Sequence, residues 1–277
     1  MKIDFRQVTT IAAKEFWDRI RNRWVLVTAV VFAIFALAIT YFGAARQGGV
    51  GFMGIEITIA SLVSLVIYLI PLIALILGFD AIVGERERGS LDLLLSMPIT
   101  RFELLLGKFV GLSAALAFST LAGFGLVGIL LSWQQLNLSG LYHYFGFVLS
   151  AILMGMTFLS LAILTSVMAT DRARASGAAI GVWFFFVLVY DLILLGILVG
   201  TGGAINETVF SFLLLLNPAD VFRILNVFSS EQAKTFYGLA TVFPKTLSDP
   251  WFLGLVMAFW IIAPLGLATW RFTWRFK

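Results

Sequence analysis

Side chains able to do covalent or metal chemistry are scarce in this sequence. It has no cysteine and one histidine, His143, set between Tyr142 and Tyr144. Without thiols there is no disulfide, no thiolate nucleophile and no sulfur ligand. No clustered His or carboxylate partners stand at ligand spacing, so the sequence offers no metal site. It also lacks a Ser/His pair, an HExxH string and paired carboxylates inside an apolar run, the patterns that would suggest hydrolysis. His143 reads as a hydrogen-bonded structural residue at an interface. The protein is expected not to be an enzyme.

Nucleotide chemistry fares no better. Gly123-Phe-Gly125-Leu-Val-Gly128 matches GxGxxG as a string, but it lies in a long apolar run with no preceding strand and no acidic residue about 20 positions on. Small residues at helix contacts explain it better. Gly107/Gly111, Gly177/Gly181 and Gly196/Gly200 also have GxxxG spacing, which allows close helix crossing within one chain or between two. The only Gly-Lys pair, Gly107-Lys108, has Phe102 where the first glycine of GxxxxGK belongs and Phe109 where Ser or Thr belongs. Any nucleotide energy must come from another polypeptide.

Charged residues within apolar runs carry a functional expectation. Asp191 is the clearest, with two readings: a residue lining a pathway, or a helix-to-helix hydrogen bond. Glu56 and Asp80 lie near the ends of apolar runs, where they are expected to reach water. Lys108 is expected to snorkel to the nearer face, and Pro71 to kink its helix.

One polar stretch stands out, Gly84–Lys108, a charged island between two apolar runs. Gly89-Ser90 is expected to break the preceding helix, with Ser90 as N-cap of a new one. Asp92 falls in its first turn, where a carboxylate complements the helix dipole. Leu91, Leu94 and Leu95 make one apolar stripe, and Pro98 stops the helix. Thr100-Arg101-Phe102-Glu103 has capping-box spacing and opens the next helix. A hairpin between two membrane helices needs far fewer residues, so the island reads as a docking surface.

The elements around the island are set by composition. Hydrophobic residues make up 61% of the chain and charged residues 12%, about half the charged share of a soluble domain. This is an integral membrane protein. Six apolar runs can each cross about 30 Å of hydrocarbon: 24–45, 58–80, 104–131, 144–169, 177–200 and 251–270. Fifteen of the nineteen Lys and Arg fall in the first 23 residues, the island, the 170–176 turn and the tail. The other four are Arg46, Arg223, Lys234 and Lys245. This asymmetry places both termini in the cytoplasm. The net charge of +4 is not a nucleic-acid signal. Before the first run, Phe5, Val8, Ala12, Phe16 and Ile20 step by three or four, as in an amphipathic helix lying in the membrane interface. On the outer side, Ile205–Leu216 is apolar but too short to span. Closed by Asn217-Pro218 and followed by the amphipathic Val221–Phe228, it reads as a re-entrant or interfacial pair.

At the island the chain resembles permeases of the ABC-2 type, the type V exporter fold. That family shows Glu-Arg-Glu-x-Gly-[Ser/Thr]-Leu-[Asp/Glu]-x-Leu-Leu, then a proline, a basic residue and Gly-Lys. Here it stands as Glu85-Arg86-Glu87-Arg88-Gly89-Ser90-Leu91-Asp92-Leu93-Leu94-Leu95, then Pro98, Arg101 and Gly107-Lys108. The six runs, the N-terminal helix and the helical outer loop extend the likeness over the whole chain. More narrowly, it is similar to permeases of the machinery that matures the copper sites of nitrous-oxide reductase.

The resemblance implies a single transmembrane domain over 1–277, with an interfacial helix over 1–23, a cytoplasmic coupling segment over 81–103 and an outer loop over 201–250. The fold is all-α, with six transmembrane helices in the bacterial inner membrane. It implies a homodimer with two ABC ATPase subunits that hold ATP and Mg, and no cofactor on this chain. Ser90–Met97 would be the coupling helix, with Leu91, Leu94 and Leu95 entering a groove on the ATPase and Glu85, Glu87 and Arg88 as a charged rim. The turn with Asp171, Arg172 and Arg174 would be a second contact, and Asp191 a pathway residue. The outer loop, with Asn217, Pro218, Phe222 and Arg223, would seat a periplasmic protein. The cargo would be a small copper- or sulfur-bearing species, and no nucleic acid is involved. The alternative is a membrane scaffold or mechanotransmitter that moves no cargo.

Overall fold

The computed structural model describes residues 4–42, 55–134, 138–202, 205–227 and 249–275. The Gly-rich loop around residue 48, the outer loop after residue 227 and the side chain of Glu56 lie outside the described residues. Every regular element among them is helical. α1 (Phe5–Arg21) precedes six helices long and apolar enough to cross a membrane. These are α2 (Trp24–Phe42), α3 (Ile55–Gly78), α6 (Arg101–Gln134), α7 (Leu138–Met168), the fifth span and α12 (Pro250–Arg275). Between α3 and α6 lie two short helices of the island, α4 (Val83–Glu87) and α5 (Ser90–Ser96). The fifth span has three parts: α8 (Arg172–Phe184), a π-helical segment (Phe185–Val189) and α9 (Tyr190–Gly200). α10 (Glu207–Leu215) and α11 (Pro218–Val227) follow it, bent 111° to one another.

α7 is the centre of the bundle. It packs against α3, α6, α11 and α12, and 72% of its span is buried, against 11% for the fifth span. Two glycines allow the closest approaches. A Cβ on Gly78 would meet Leu159 and Ala162 of α7 at 2.7 Å, and one on Gly155 would meet Leu116 of α6 at 2.3 Å. The hydroxyls that α7 carries inward return to its own carbonyls, Ser150 to Phe147, Thr157 to Leu153 and Ser160 to Thr157. An apolar surround demands that satisfaction. α3 runs on as a helix through Pro71.

The three GxxxG pairs part company. A Cβ on Gly107 would meet Ile11 at 2.7 Å, and one on Gly111 would meet the Ala12 carbonyl at 2.4 Å. This pair seats α1 on α6 within the chain. At Gly177, Gly181, Gly196 and Gly200 an added Cβ meets nothing within 4 Å among the described residues. The apolar stripe of α1 is therefore spent on protein: Val8 and Ala12 are buried against α6, while Phe5 is 70% exposed.

α6 has 34 residues, about 51 Å of helix at 1.5 Å per residue. That exceeds a hydrocarbon layer by about 20 Å, so α6 extends well beyond the membrane. Its first turns, with Gly107 and Lys108, belong to the island end of the bundle.

Candidate functional site

The island is built from the ends of its neighbours. α3 stops at Gly78, and the two donors that open α4, the Ile82 and Val83 N–H groups, both find the Ser166 hydroxyl of α7 at 3.0 Å. Gly84 lies where a Cβ would be 2.2 Å from the Asp80 carboxylate, so glycine lets that carboxylate fold back over α4. Asp80 does not simply reach water. It accepts both Nε and Nη2 of Arg172, at 2.6 and 2.7 Å, with Arg88 3.5 Å away. Glu87 accepts the Arg172 backbone N–H at 2.7 Å, and Arg86 donates to the Ala169 carbonyl at 2.5 Å. The island and the 170–176 turn thus form one clamped unit.

Asp171 caps α8. Its carboxylate accepts the Arg174 N–H at 2.8 Å and the Thr170 hydroxyl at 2.9 Å. The backbone hydrogen bond from Arg174, first among several, holds the Asp171 carboxyl below the usual carboxylate range.

α4 is followed by Gly89, whose φ of 72° is the left-handed turn that glycine adopts without strain. Gly89 is itself the N-cap of α5, which corrects the assignment of that role to Ser90. Ser90 is already inside the helix, and its hydroxyl donates backward to the Glu85 carbonyl at 3.2 Å. Met97, before Pro98, is extended and ends α5. The capping box forms as read: Glu103 accepts the Thr100 N–H at 2.7 Å and Thr100 accepts the Glu103 N–H at 3.1 Å. The second Glu103 oxygen accepts the Asp4 N–H at 2.7 Å, so one carboxylate caps α6 and fixes the entry to α1.

Lys108 does not snorkel. It is 2% exposed, and its ammonium donates to Glu15 of α1 at 2.7 Å and Glu85 of α4 at 2.6 Å. Glu85 is therefore turned inward and is not part of an outer rim. The stripe of α5 faces inward too. Leu91 is 1% exposed, and Leu94 and Leu95 pack against the core. The outward face of α5 carries Asp92, Leu93 at 64% and Met97 at 47% exposure, beside the exposed Glu87, Arg88 and Pro98.

A second polar cluster joins the fifth span to α10 and α11. Arg223 donates to Asp191 at 2.9 Å and is also paired with Asp220. Asn217 donates to Asp220 and to the Phe186 carbonyl of the π segment, both at 2.9 Å. A π turn shifts the carbonyl pattern of its helix, and here Asn217 takes one of those carbonyls. The end of α10 is capped from two spans: Tyr190 donates to the Leu213 carbonyl at 2.7 Å and Trp260 to the Leu215 carbonyl at 3.2 Å. Pro218 opens α11, where its missing N–H is no loss. Phe222 is fully buried, its ring 6.1 Å from Phe147. Asn217, Pro218 and Phe222 are thus inside the bundle, keying the bent pair in place, and Asp191 makes the helix-to-helix contact.

Across known proteins, residues 9–275 match the family described as ABC-2 family transporter protein. The chain belongs to the ABC-2 family. It is 45% identical over 266 residues to the probable ABC transporter permease protein NosY of Pseudomonas aeruginosa, covering 94% of this chain and 96% of that one. It is 43% identical over 265 residues to the probable NosY permease of Stutzerimonas stutzeri, covering 95% and 96%. The chain is an ABC transporter permease subunit and a multi-pass protein of the inner membrane.

In this ABC-2 chain the family string at residues 85–95 divides by face. Glu85, Leu91, Leu94 and Leu95 hold the island together. Asp92, Leu93 and Met97 stand outward. Sequence reasoning missed Glu15, Lys108, Ser166 and Arg172 as the clamps. One signal was available: Glu15 is an acidic residue three positions after Ala12, on the stripe that packs.

Proposed function

We propose that two copies of this permease pair, that an ABC ATPase subunit docks on the island end of each, and that ATP binding there moves the bundles. One observation carries this reading. α4, which packs on α5, is clamped through Lys108, Asp80 and Ser166 to α1, α8 and α7, while α5 presents exposed Leu93 and Met97 at i, i+4. Two apolar side chains on a rigid outward face, flanked by Glu87, Arg88 and Asp92, suit a groove with a charged margin. A push on such a face is passed to three neighbouring helices. The absence of a P-loop in the sequence fits ATP and Mg on a separate subunit.

Likeness to proteins called NosY supports a role in maturing the copper sites of nitrous-oxide reductase, with a copper- or sulfur-bearing species as cargo and a periplasmic protein as the outer partner. A mechanotransmitter that moves no cargo is the second reading. It is favoured by the keying of α10 and α11 into the fifth span and α12, which carries movement outward through packed protein.

Two experiments follow. In the complex with its ATPase, Leu93→Asp is expected to cut ATPase association at least tenfold, because a carboxylate would be buried against an apolar groove. Leu93 lies outside the core, so the bundle should keep its unfolding temperature. Undiminished association and activity would remove α5 from this role. For orientation, Arg174→Cys in this cysteine-free chain should react with an impermeant maleimide from the cytoplasmic side only. Labelling from the outside would invert the proposed topology.

A further inference from the structure

The face of α1 turned away from α6 carries Arg6, Thr10, Lys14, Trp17 and Arg21, at steps of four, four, three and four. That spacing sets them in one stripe along the helix. All five are exposed, Trp17 at 63%. The opposite face, with Val8, Ala12 and Glu15, is buried on α6. Lys14 shares its charge with Asp18 at 3.3 Å and Glu15 at 3.8 Å. Among the described residues, no ion pair holds Arg6, Arg19, Arg21 or Arg23.

The height of this stripe is fixed by two contacts. The Phe16 ring is 6.3 Å from Phe118 of α6, and the next residue, Ser119, donates to the Val25 carbonyl at 3.2 Å. The last turns of α1 therefore meet α6 at the level where the first span begins. Phe118 is an exposed apolar residue of α6. Trp17 packs edge-on against Phe16 at 5.7 Å, and an exposed amphipathic ring at this level suits a membrane boundary, with Arg21 one turn on.

We propose that the end of this stripe nearest the first span, Lys14, Trp17 and Arg21, binds the headgroups of anionic phospholipids in the adjacent leaflet. The apolar stripe of α1 is not what holds the helix to the membrane, since it is packed on α6. The cations bind phosphate and the indole inserts at the boundary. Charge complementarity selects the partner: each cation near such a surface favours an anionic lipid by a factor of about five. The same helix holds Lys108 through Glu15, so the leaflet and the island meet in one element.

The test uses the full chain in nanodiscs of equal phosphatidylcholine and phosphatidylglycerol, with retained lipids counted by native mass spectrometry. Wild type should keep phosphatidylglycerol in excess, and the excess should shrink as salt rises. Lys14→Gln/Arg21→Gln should lose that preference by about tenfold or more, with Arg21→Gln alone showing a smaller drop. Arg271→Gln/Arg275→Gln removes charge from the tail and should leave the preference intact. Equal retention of both lipids by wild type would overturn the proposal. So would an unchanged preference in the double and single variants. Neither result bears on ATPase docking, which is read separately from association with Leu93→Asp.

Discussion

Lys108→Met should lower the stability of the island end by about 3–5 kcal/mol, the usual cost of removing one partner from a buried ion pair. The ammonium is enclosed and bridges Glu15 and Glu85. Without it two carboxylates face each other across α1 and α4, in a space that already leaves Glu85 Oε2 buried without a hydrogen-bond partner. Methionine fits the volume of lysine, so the loss comes from charge and not from packing. The measurement is a thermal or denaturant unfolding transition on the purified chain, with hydrogen exchange over residues 5–21 and 83–96 to locate the damage. Glu15→Gln/Lys108→Met should be milder than Lys108→Met, because one of the stranded charges is gone. A double variant no better than the single would show that the pair does not act as a unit.

Arg223→Met should have an effect of the same size, about 3–5 kcal/mol, at the other end. Its guanidinium lies between Asp191, 36% exposed, and the fully enclosed Asp220. Removing it takes away the group that ties Asp191 of α9 to the enclosed Asp220 and leaves Asp220 without its counter-charge beside an apolar span, which frees α11 from α9. Hydrogen exchange should rise in residues 207–227 well before the rest of the bundle opens. Arg223→Lys should restore only part of the protection, since one ammonium cannot reproduce a planar fork shared by two carboxylates. Exchange spread evenly over the chain would mean that the cluster does not key α10 and α11 to the fifth span.

The spans were legible because nothing but a helix satisfies twenty apolar residues of backbone in a membrane. The turn chemistry was legible for a similar reason: Gly89, Pro98 and the Thr100/Glu103 box each act within a few residues of themselves. Ser90 shows the limit. A glycine in a left-handed turn can end one helix and begin the next, which leaves the serine already inside. The stripe of Leu91, Leu94 and Leu95 was visible, but a stripe states only that one face is buried. Whether it is buried on its own chain or on a partner depends on α4 and α6, which the spacing does not contain.

Lys108 was misread through depth. The end of an apolar run marks the membrane boundary only in a helix that stops there, whereas α6 extends about 20 Å farther than hydrocarbon needs. At that height the partner of a lysine is another helix. The clamps Asp80–Arg172 and Glu15–Lys108 join residues about ninety positions apart, and no local pattern reports them. The three GxxxG pairs are alike as strings, yet among the described residues only Gly107/Gly111 meets another helix. The π segment, Phe-Phe-Val-Leu-Val, shows no local signature, and the Asn217 that takes its Phe186 carbonyl lies 31 positions on.

The central claim is that the outward face of α5 is where an ATPase docks. It is tested most directly by placing a photo-crosslinking amino acid at position 93 and irradiating native membranes, then identifying the adduct by mass spectrometry. The account predicts a crosslinked peptide from a protein that carries a GxxxxGK[ST] nucleotide-binding loop, with the yield changing when ATP is added. Crosslinks only to lipid or to the chain itself, with the protein intact in its membrane, would contradict it.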